Sequence, residues 1–134
     1  MGVVMTQPFI LVASYPVKPN KLDEIQDRCQ SIAALVESNE PQLLAFHFYF
    51  DEAGGRLGVI QVHPDAASME RHMEVIAEHL ATAWDWLDDE GGEQHWFGTP
   101  PDVLTHYAVE HGETVDAFAA HVAGFTRSQA SLVG

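Results

Sequence analysis

The stretch LLAFHFYFDEAGGRLGVIQVH, residues 43–63, decides the fold of this chain. Two runs rich in apolar and aromatic residues, Leu43–Phe50 and Arg56–His63, flank a short polar segment that contains Gly54 and Gly55. Two such runs joined by a short glycine-containing loop are typical of a β-hairpin. We therefore predict two neighbouring antiparallel strands here.

The first strand of this hairpin has two different faces, because successive side chains of a strand point to opposite sides. One face is purely apolar and is expected to pack against helices. The other face includes side chains with polar ends, as is typical of a strand that lines a pocket or an interface. The apolar face consists of Leu44, Phe46, Phe48 and Phe50, and the other of Leu43, Ala45, His47 and Tyr49. A slip of one residue would swap the faces of the second strand; we prefer the register that puts Gln61 and His63 beside His47 and Tyr49.

The segments on either side of the hairpin complete an alternating order of elements. Phe9–Tyr15 predicts a strand that is covered on both faces. Asn20–Ser38 predicts an amphipathic helix with Asn20 as its N-cap. A second helix is predicted from its N-cap, Asp65, to about Leu87. The order β-α-β-β-α indicates an α+β fold, the ferredoxin-like split βαβ, whose antiparallel sheet has helices on one face.

The last third of the chain adds short elements to this core. Four are predicted: a strand at Gln94–Gly98, a helix at about Pro101–Val109, an edge strand at Val115–Phe118 and a weaker extended segment at His121–Arg127. We expect one domain over residues 1–134, with a core at about 8–100 and a C-terminal helix and strand extension at about 101–127.

The charge of the chain excludes two classes of partner. The formal net charge is −14, from 20 acidic and 6 basic residues, and the bases form no stripe. Phosphate backbones and anionic lipids are repelled by such a protein, so we expect no nucleic-acid and no membrane partner. The charged fraction of 19% is low. The apolar surface that this leaves spare favours a subunit interface.

The single cysteine indicates the compartment. Cys29 lies on the apolar stripe of the first helix, and one cysteine excludes an internal disulfide. Residues 1–6 lack the basic flank of a signal peptide. We therefore expect a reducing, cytoplasmic location.

Three stretches of the chain resemble the antibiotic-biosynthesis monooxygenase-like (ABM-like) domains of the dimeric α+β barrel superfamily. They are FILVASYPVKPNKLDEIQD, LLAFHFYFDEAGGRLGVIQVHPDAASMERHM and HWFGTPPDV, within about residues 8–100. In such domains the helix after the hairpin starts with an acid and two alanines and bears a histidine one turn in, like His72. The resemblance implies a homodimer whose open sheet faces pair into a barrel, with a pocket between the sheet and the helices of each subunit.

The resemblance also implies a range of activities. Such domains include cofactor-independent oxygenases of aromatic polyketides and quinols, heme-degrading enzymes, and proteins with no demonstrated activity. The heme-degrading branch pairs a first-strand asparagine and a third-strand tryptophan with the helix histidine, and of these only His72 is present here. We therefore expect a monooxygenase acting without a cofactor on a small aromatic or quinol-like substrate. The alternatives are a non-catalytic barrel that binds a small apolar ligand, and a structural dimer without activity.

An oxygenase of this kind needs a base that deprotonates a phenol or quinol, and histidine suits that role. The candidate catalytic residues are His72, His47 and Tyr49, and the candidate pocket residues are His63, Gln61, Trp84, Trp96 and Phe48. Trp84 and Trp86 are two residues apart on a predicted helix, so we expect at most one of them in the core. No metal site is expected, because His72 and His79 would be about 10 Å apart along a helix.

Overall fold

A computed structural model describes residues 7–51, 53–88 and 90–127 of the chain. The elements are, in chain order, β1 Phe9–Pro16, α1 Leu22–Asn39, β2 Ala45–Phe50, β3 Arg56–His63, α2 Ala66–Val75, α3 Ala77–Thr82, β4 Glu93–Phe97, α4 Asp102–Glu110 and β5 Val115–Phe118. A 3-10 turn at Ala83–Asp85 follows α3. The expectation for residues 1–6 lies outside the described residues.

The five strands form one sheet in the order β2-β3-β1-β4-β5. The central strand β1 pairs antiparallel with both β3 and β4, β2 pairs antiparallel with β3, and β5 adds a parallel edge strand beside β4. The predicted ferredoxin-like α+β fold is therefore confirmed, and so are the strand at β4, the helix α4 and the edge strand β5 of the C-terminal extension.

The preferred register of the hairpin is wrong. Phe46 pairs with Gln61 and His47 with Ile60, so Gln61 and His63 share the helix-facing side with Phe46. The reason lies in the turn, where the Asp51 carboxylate accepts hydrogen bonds from the backbone N–H groups of Gly55 and Arg56 at 2.8 and 3.1 Å. The turn fixes the loop length and thereby the register. The predicted apolar face of β2 does pack toward the helices.

The second predicted helix is divided into shorter parts. It is interrupted at Ile76, whose φ of −96° and ψ of 7° depart from helical values, and α3 then tightens into the 3-10 turn. This change of winding lets Trp84 and Trp86 both reach the interior, where both line the same cavity. Trp86 belongs to the buried core, whereas Trp84 is only partly buried and packs against it, so the expectation that at most one of them lies in the core is confirmed.

Two further local predictions are corrected and one is confirmed. Lys21 rather than Asn20 precedes α1, and Asn20 adopts a left-handed φ of 65°, which asparagine tolerates. Residues 121–127 form no strand; Val122 is 94% exposed, so no burial supports pairing there. Asp65 caps α2 as predicted, accepting a 2.9 Å hydrogen bond from the backbone N–H of Ser68.

The core lies between the sheet and the helices, in two clusters. One joins Phe9, Leu11, Ala13 and Trp96 of the sheet to Met69 of α2 and to Leu104 and Ala108 of α4. The other joins Ile25 and Cys29 of α1 to Leu57, Trp86 and Leu87. The helix α4 therefore packs on the side that α1 and α2 already cover. The opposite face of the sheet keeps exposed apolar side chains, including Ile60, Phe97 and Phe118.

Candidate functional site

A cavity of about 160 Å³ lies between the helix-facing side of the sheet and the helices. Its walls are mostly apolar and include Phe46, Phe48, Leu57, Val59, Met73, Leu80 and Trp84. An apolar cavity of about 150 Å³ is large enough to hold benzene. Buried polar groups cluster in two places, one at His72 and one at Tyr15, Gln94, Tyr107 and Glu113. Arg28, Gln61 and His79 also line the cavity.

The first polar place is built on a histidine and a carboxylate. His72 projects from α2, and Glu40 lies at the end of α1, which Pro41 terminates. Their side chains are fully buried, and His72 Nδ1 lies 2.8 Å from Glu40 Oε2. The carboxylate can only accept from a ring N–H, so Nδ1 donates and the lone pair of a neutral ring lies on Nε2. His72 Nε2 is buried and has no hydrogen-bond partner among the described residues.

A chain of hydrogen bonds surrounds this pair. Gln42 Nε2 donates to Glu40 Oε1 and to Ser68 Oγ at 3.4 and 3.3 Å. Ser68 Oγ lies 2.7 Å from His63 Nδ1, and His63 Nε2 lies 2.9 Å from Gln61 Oε1. Since the amide oxygen of Gln61 only accepts, His63 carries its proton on Nε2 and accepts from the Ser68 hydroxyl. These contacts hold Glu40 in place for His72.

His63 is kept neutral beside His72. The two ring centroids are 5.7 Å apart. Burial, with a smaller contribution from the charge of a neighbouring His72, lowers the pKa of His63 to about 3. His63 therefore acts as a neutral hydrogen-bonding group at ordinary pH. The His63 ring faces His72. His63 does not line the cavity itself, whereas its neighbours His72 and Gln61 do.

The second polar place is a compact network. Tyr15 Oη donates to Glu113 Oε1 at 2.6 Å. Gln94 Nε2 donates to Tyr15 Oη and to Glu113 Oε2 at 2.6 and 2.7 Å, and Trp96 Nε1 donates to Gln94 Oε1 at 2.8 Å. Burial, reinforced by the Glu113 carboxylate, raises the pKa of Tyr15 well above its ordinary value. Each of these side chains therefore has a hydrogen-bond partner within the network.

Tyr107 stands beside this network without joining it. Its ring stacks on His111 at a centroid distance of 4.0 Å. Its hydroxyl is buried and has no hydrogen-bond partner among the described residues. Burial first, and then the charge of Glu113, raise the pKa of Tyr107, and the nearby Trp84 side chain partly opposes this shift. The Tyr107 hydroxyl therefore stays protonated and remains free to donate.

The structure brings together only some of the residues that the sequence selects as candidates. Phe48, Gln61, His72 and Trp84 line the cavity. His63 and Trp96 are buried behind its wall, where they support His72 and Gln94 through the contacts described above. His47 and Tyr49 lie on the opposite, open face of the sheet, where both are exposed. The sheet therefore separates His47 and Tyr49 from His72.

Sequence reasoning did not select Glu40, Tyr15, Gln94, Tyr107 or Glu113. Glu40 and His72 are separated by 32 positions in the sequence, and Tyr15 and Glu113 by 98. No local spacing marks contacts of that separation. The one available signal is Tyr15, which places a hydroxyl on the same face of the first strand as Phe9, Leu11 and Ala13 and so requires a buried partner. Among the described residues, no group of three His, Cys, Asp or Glu side chains could hold a metal ion.

The fold is similar to that of solved structures that include antibiotic biosynthesis monooxygenases. MupZ from Pseudomonas fluorescens superposes with a TM-score of 0.70 at 19% identity, covering 91% of this chain and 96% of that one. A structure named antibiotic biosynthesis monooxygenase gives 0.58 at 20% identity, covering 69% and 99%. A candidate antibiotic biosynthesis monooxygenase from Caulobacter crescentus CB15 gives 0.60 at 18% identity, covering 69% and 89%.

These likenesses confirm the resemblance to ABM-like proteins at the level of the fold. All three identities are below the range in which an activity can be transferred. No protein-family model matches the sequence, and no curated protein matches it significantly. In the described part of the chain, no helix has the length and apolar character that crossing a membrane requires.

Proposed function

We propose that this protein is a cofactor-independent monooxygenase acting on a small aromatic or quinol-like molecule in the cavity. The observation that carries the proposal is His72 Nε2, a buried atom on the wall of an apolar cavity that has no hydrogen-bond partner within the described ranges of the chain. A buried polar atom in a native protein is expected to have a hydrogen-bond partner, and a substrate hydroxyl would supply it.

His72 has the arrangement of a general base. Glu40 fixes the ring orientation and the tautomer by accepting from Nδ1, so that Nε2 can take a proton. The substrate proton would pass from a phenolic oxygen to Nε2. Phe46, whose ring centroid is 5.2 Å from that of His72, would pack against the substrate ring.

The chemistry that follows needs only the substrate and O₂. The phenolate gives one electron to O₂, and the resulting superoxide and phenoxyl radical combine to form a C–O bond at a ring carbon that bears hydrogen. His72 returns its proton to the peroxide. Loss of the ring hydrogen together with hydroxide then breaks the O–O bond, leaving a quinone carbonyl and water. One oxygen atom enters the product and the other enters water.

The ligand-binding alternative uses the same cavity without the oxidation. It is favoured over a purely structural module because Phe46 and Phe48 leave a cavity of about 160 Å³ rather than filling it. We further propose a cytoplasmic homodimer joined through the open face of the sheet. The apolar residues exposed there and the single buried thiol support these two points.

Oxygen uptake with a panel of phenols and hydroquinones tests the activity. His72→Gln keeps an amide donor for Glu40 but cannot take a proton, so we expect turnover to fall by about 100-fold or more with the fold retained. With ¹⁸O₂, one labelled atom should appear in the quinone.

The matched control is His47→Gln on the open face, which should change turnover less than twofold. Equal rates in wild type and His72→Gln would remove His72 as the base. Binding of the panel without any oxygen uptake would favour the ligand-binding alternative.

A further inference from the structure

We propose that the cavity recognises an aromatic ring carrying oxygen substituents at two separate positions, one held by His72 and the other by Tyr107. The inference deepens the proposed function by naming the class of ligand, and it rests on that function for the role of His72. Among the described residues, two buried side-chain polar atoms lack a hydrogen-bond partner, His72 Nε2 and Tyr107 Oη. Both residues line the same cavity.

The two unpartnered atoms belong to different helices that pack together. His72 is on α2 and Tyr107 on α4, and Met69 of α2 shares a core cluster with Leu104 and Ala108 of α4. A group that stays buried without a partner has lost its hydrogen bonds to water and gained none in return, which is unfavourable. A single ligand that meets both groups removes both costs.

The chemistry of the two atoms differs and so defines the ligand. His72 Nε2 offers a lone pair and requires a donor, which is a hydroxyl of the ligand. Tyr107 offers an O–H, because burial and Glu113 keep it protonated, and it requires an oxygen acceptor. The ligand therefore has a phenolic hydroxyl at one position and a carbonyl, ether or hydroxyl oxygen at the other.

The neighbouring network leaves Tyr107 as the specific contact at its end of the cavity. The Tyr15 hydroxyl already donates to Glu113 and accepts from Gln94, and the Gln94 amide oxygen is occupied by Trp96. The Tyr107 ring is held by stacking on His111, whose Nδ1 lies 2.9 Å from the backbone carbonyl of Tyr107. The stacked ring therefore holds the Tyr107 hydroxyl in a fixed position.

The test compares two probes of similar shape, 4-methoxyphenol and 4-ethylphenol, by calorimetry without oxygen. Both have the phenolic hydroxyl, but only the methoxy compound has a second oxygen. Wild type should bind 4-methoxyphenol about fivefold more tightly, the effect of one ordinary hydrogen bond. Tyr107→Phe should lose this preference while still binding both probes. Tyr49→Phe, on the exposed face, should keep it.

Stability supplies a second readout. Since Tyr107→Phe removes a hydroxyl to which no described residue is hydrogen-bonded, the unliganded variant should melt at the same temperature as wild type or higher. A lower melting temperature, a preference that survives in Tyr107→Phe, or failure of wild type to bind either probe would overturn the inference. Because binding is measured without oxygen, loss of turnover alone leaves these results unaffected and bears only on the monooxygenase proposal.

Discussion

The two faces of the sheet are built from the same strands yet have opposite character. The helix-facing side holds fully buried residues such as Phe9 and His63, while on the other side Tyr49 is 58% and Phe118 55% exposed. Polar groups differ as well. The covered face contains two separate hydrogen-bond networks around a cavity, whereas the open face carries isolated polar side chains such as His47 and His95.

The difference separates two tasks. The covered face has polar atoms that lack partners and a cavity beside them, which is the arrangement of a binding site. The open face has spare apolar surface and no comparable set of unpartnered buried atoms in the described part of the chain, which is the arrangement of an interface. This contrast supports the proposal that the covered face binds a ligand and that the open face associates with a second copy of the chain.

The largest expected effect contrasts two phenylalanines on opposite faces. Phe9 is fully buried and Phe118 is more than half exposed. Phe9→Ala should lower the free energy of unfolding by about 3–5 kcal/mol, and Phe118→Ala by less than about 1 kcal/mol at low protein concentration. Chemical denaturation at two protein concentrations measures both.

The concentration dependence sharpens the contrast. If a second copy covers the open face, the cost of Phe118→Ala should rise with protein concentration, while that of Phe9→Ala should not. Equal costs for the two variants in dilute solution would mean that the open face is already covered within one chain.

A charge placed on the open face should prevent association. Ile60 lies between Val12 and His47 in the register and is 37% exposed. Ile60→Glu would bury a carboxylate in the proposed interface, on a chain whose net charge is already −14. Light scattering at micromolar concentration should give twice 14.8 kDa for wild type and 14.8 kDa for the variant.

The control for this variant is Leu22→Glu on α1, a residue of similar exposure, 40%, which should leave the dimer intact. A wild-type mass of 14.8 kDa would contradict the proposed homodimer directly.

The alternation of side chains made most of the fold predictable. β3 begins and ends where its apolar run does, and the Asp65 cap and the edge strand β5 follow from local residue types. The break at Ile76 was not predictable, because the apolar stripe continues across it. The register was not predictable either, since it depends on how the Asp51 carboxylate closes the turn.

The site was predictable only in part, for a physical reason. His72 could be selected because a histidine beside an apolar helix stripe is conspicuous. Its partner Glu40 could not, because the contact joins two helices and leaves no spacing in the sequence. Tyr107 likewise could not be selected from the sequence, because only the folded structure shows that it lines the cavity.

The smallest of these effects tests the buried histidine of the covered face through pH. The pKa of His63 is about 3 in the folded protein, against an ordinary value of 6.5. Above pH 6.5 the ring is neutral in both the folded and unfolded states, so its contribution to stability is complete. As pH falls from 6.5 toward 3, the unfolded state takes up a proton that the folded state does not, and stability is lost.

The change between pH 7 and pH 5 should therefore be a loss of up to about 2 kcal/mol in the free energy of unfolding. Urea denaturation across this range measures it. His63→Gln should flatten this part of the profile, because the buried ring that takes up a proton only on unfolding is gone. His47→Gln should leave the slope unchanged. If the two variants had the same profile, the pH response would not arise from the covered face, and the contrast between the two faces would fail at this residue.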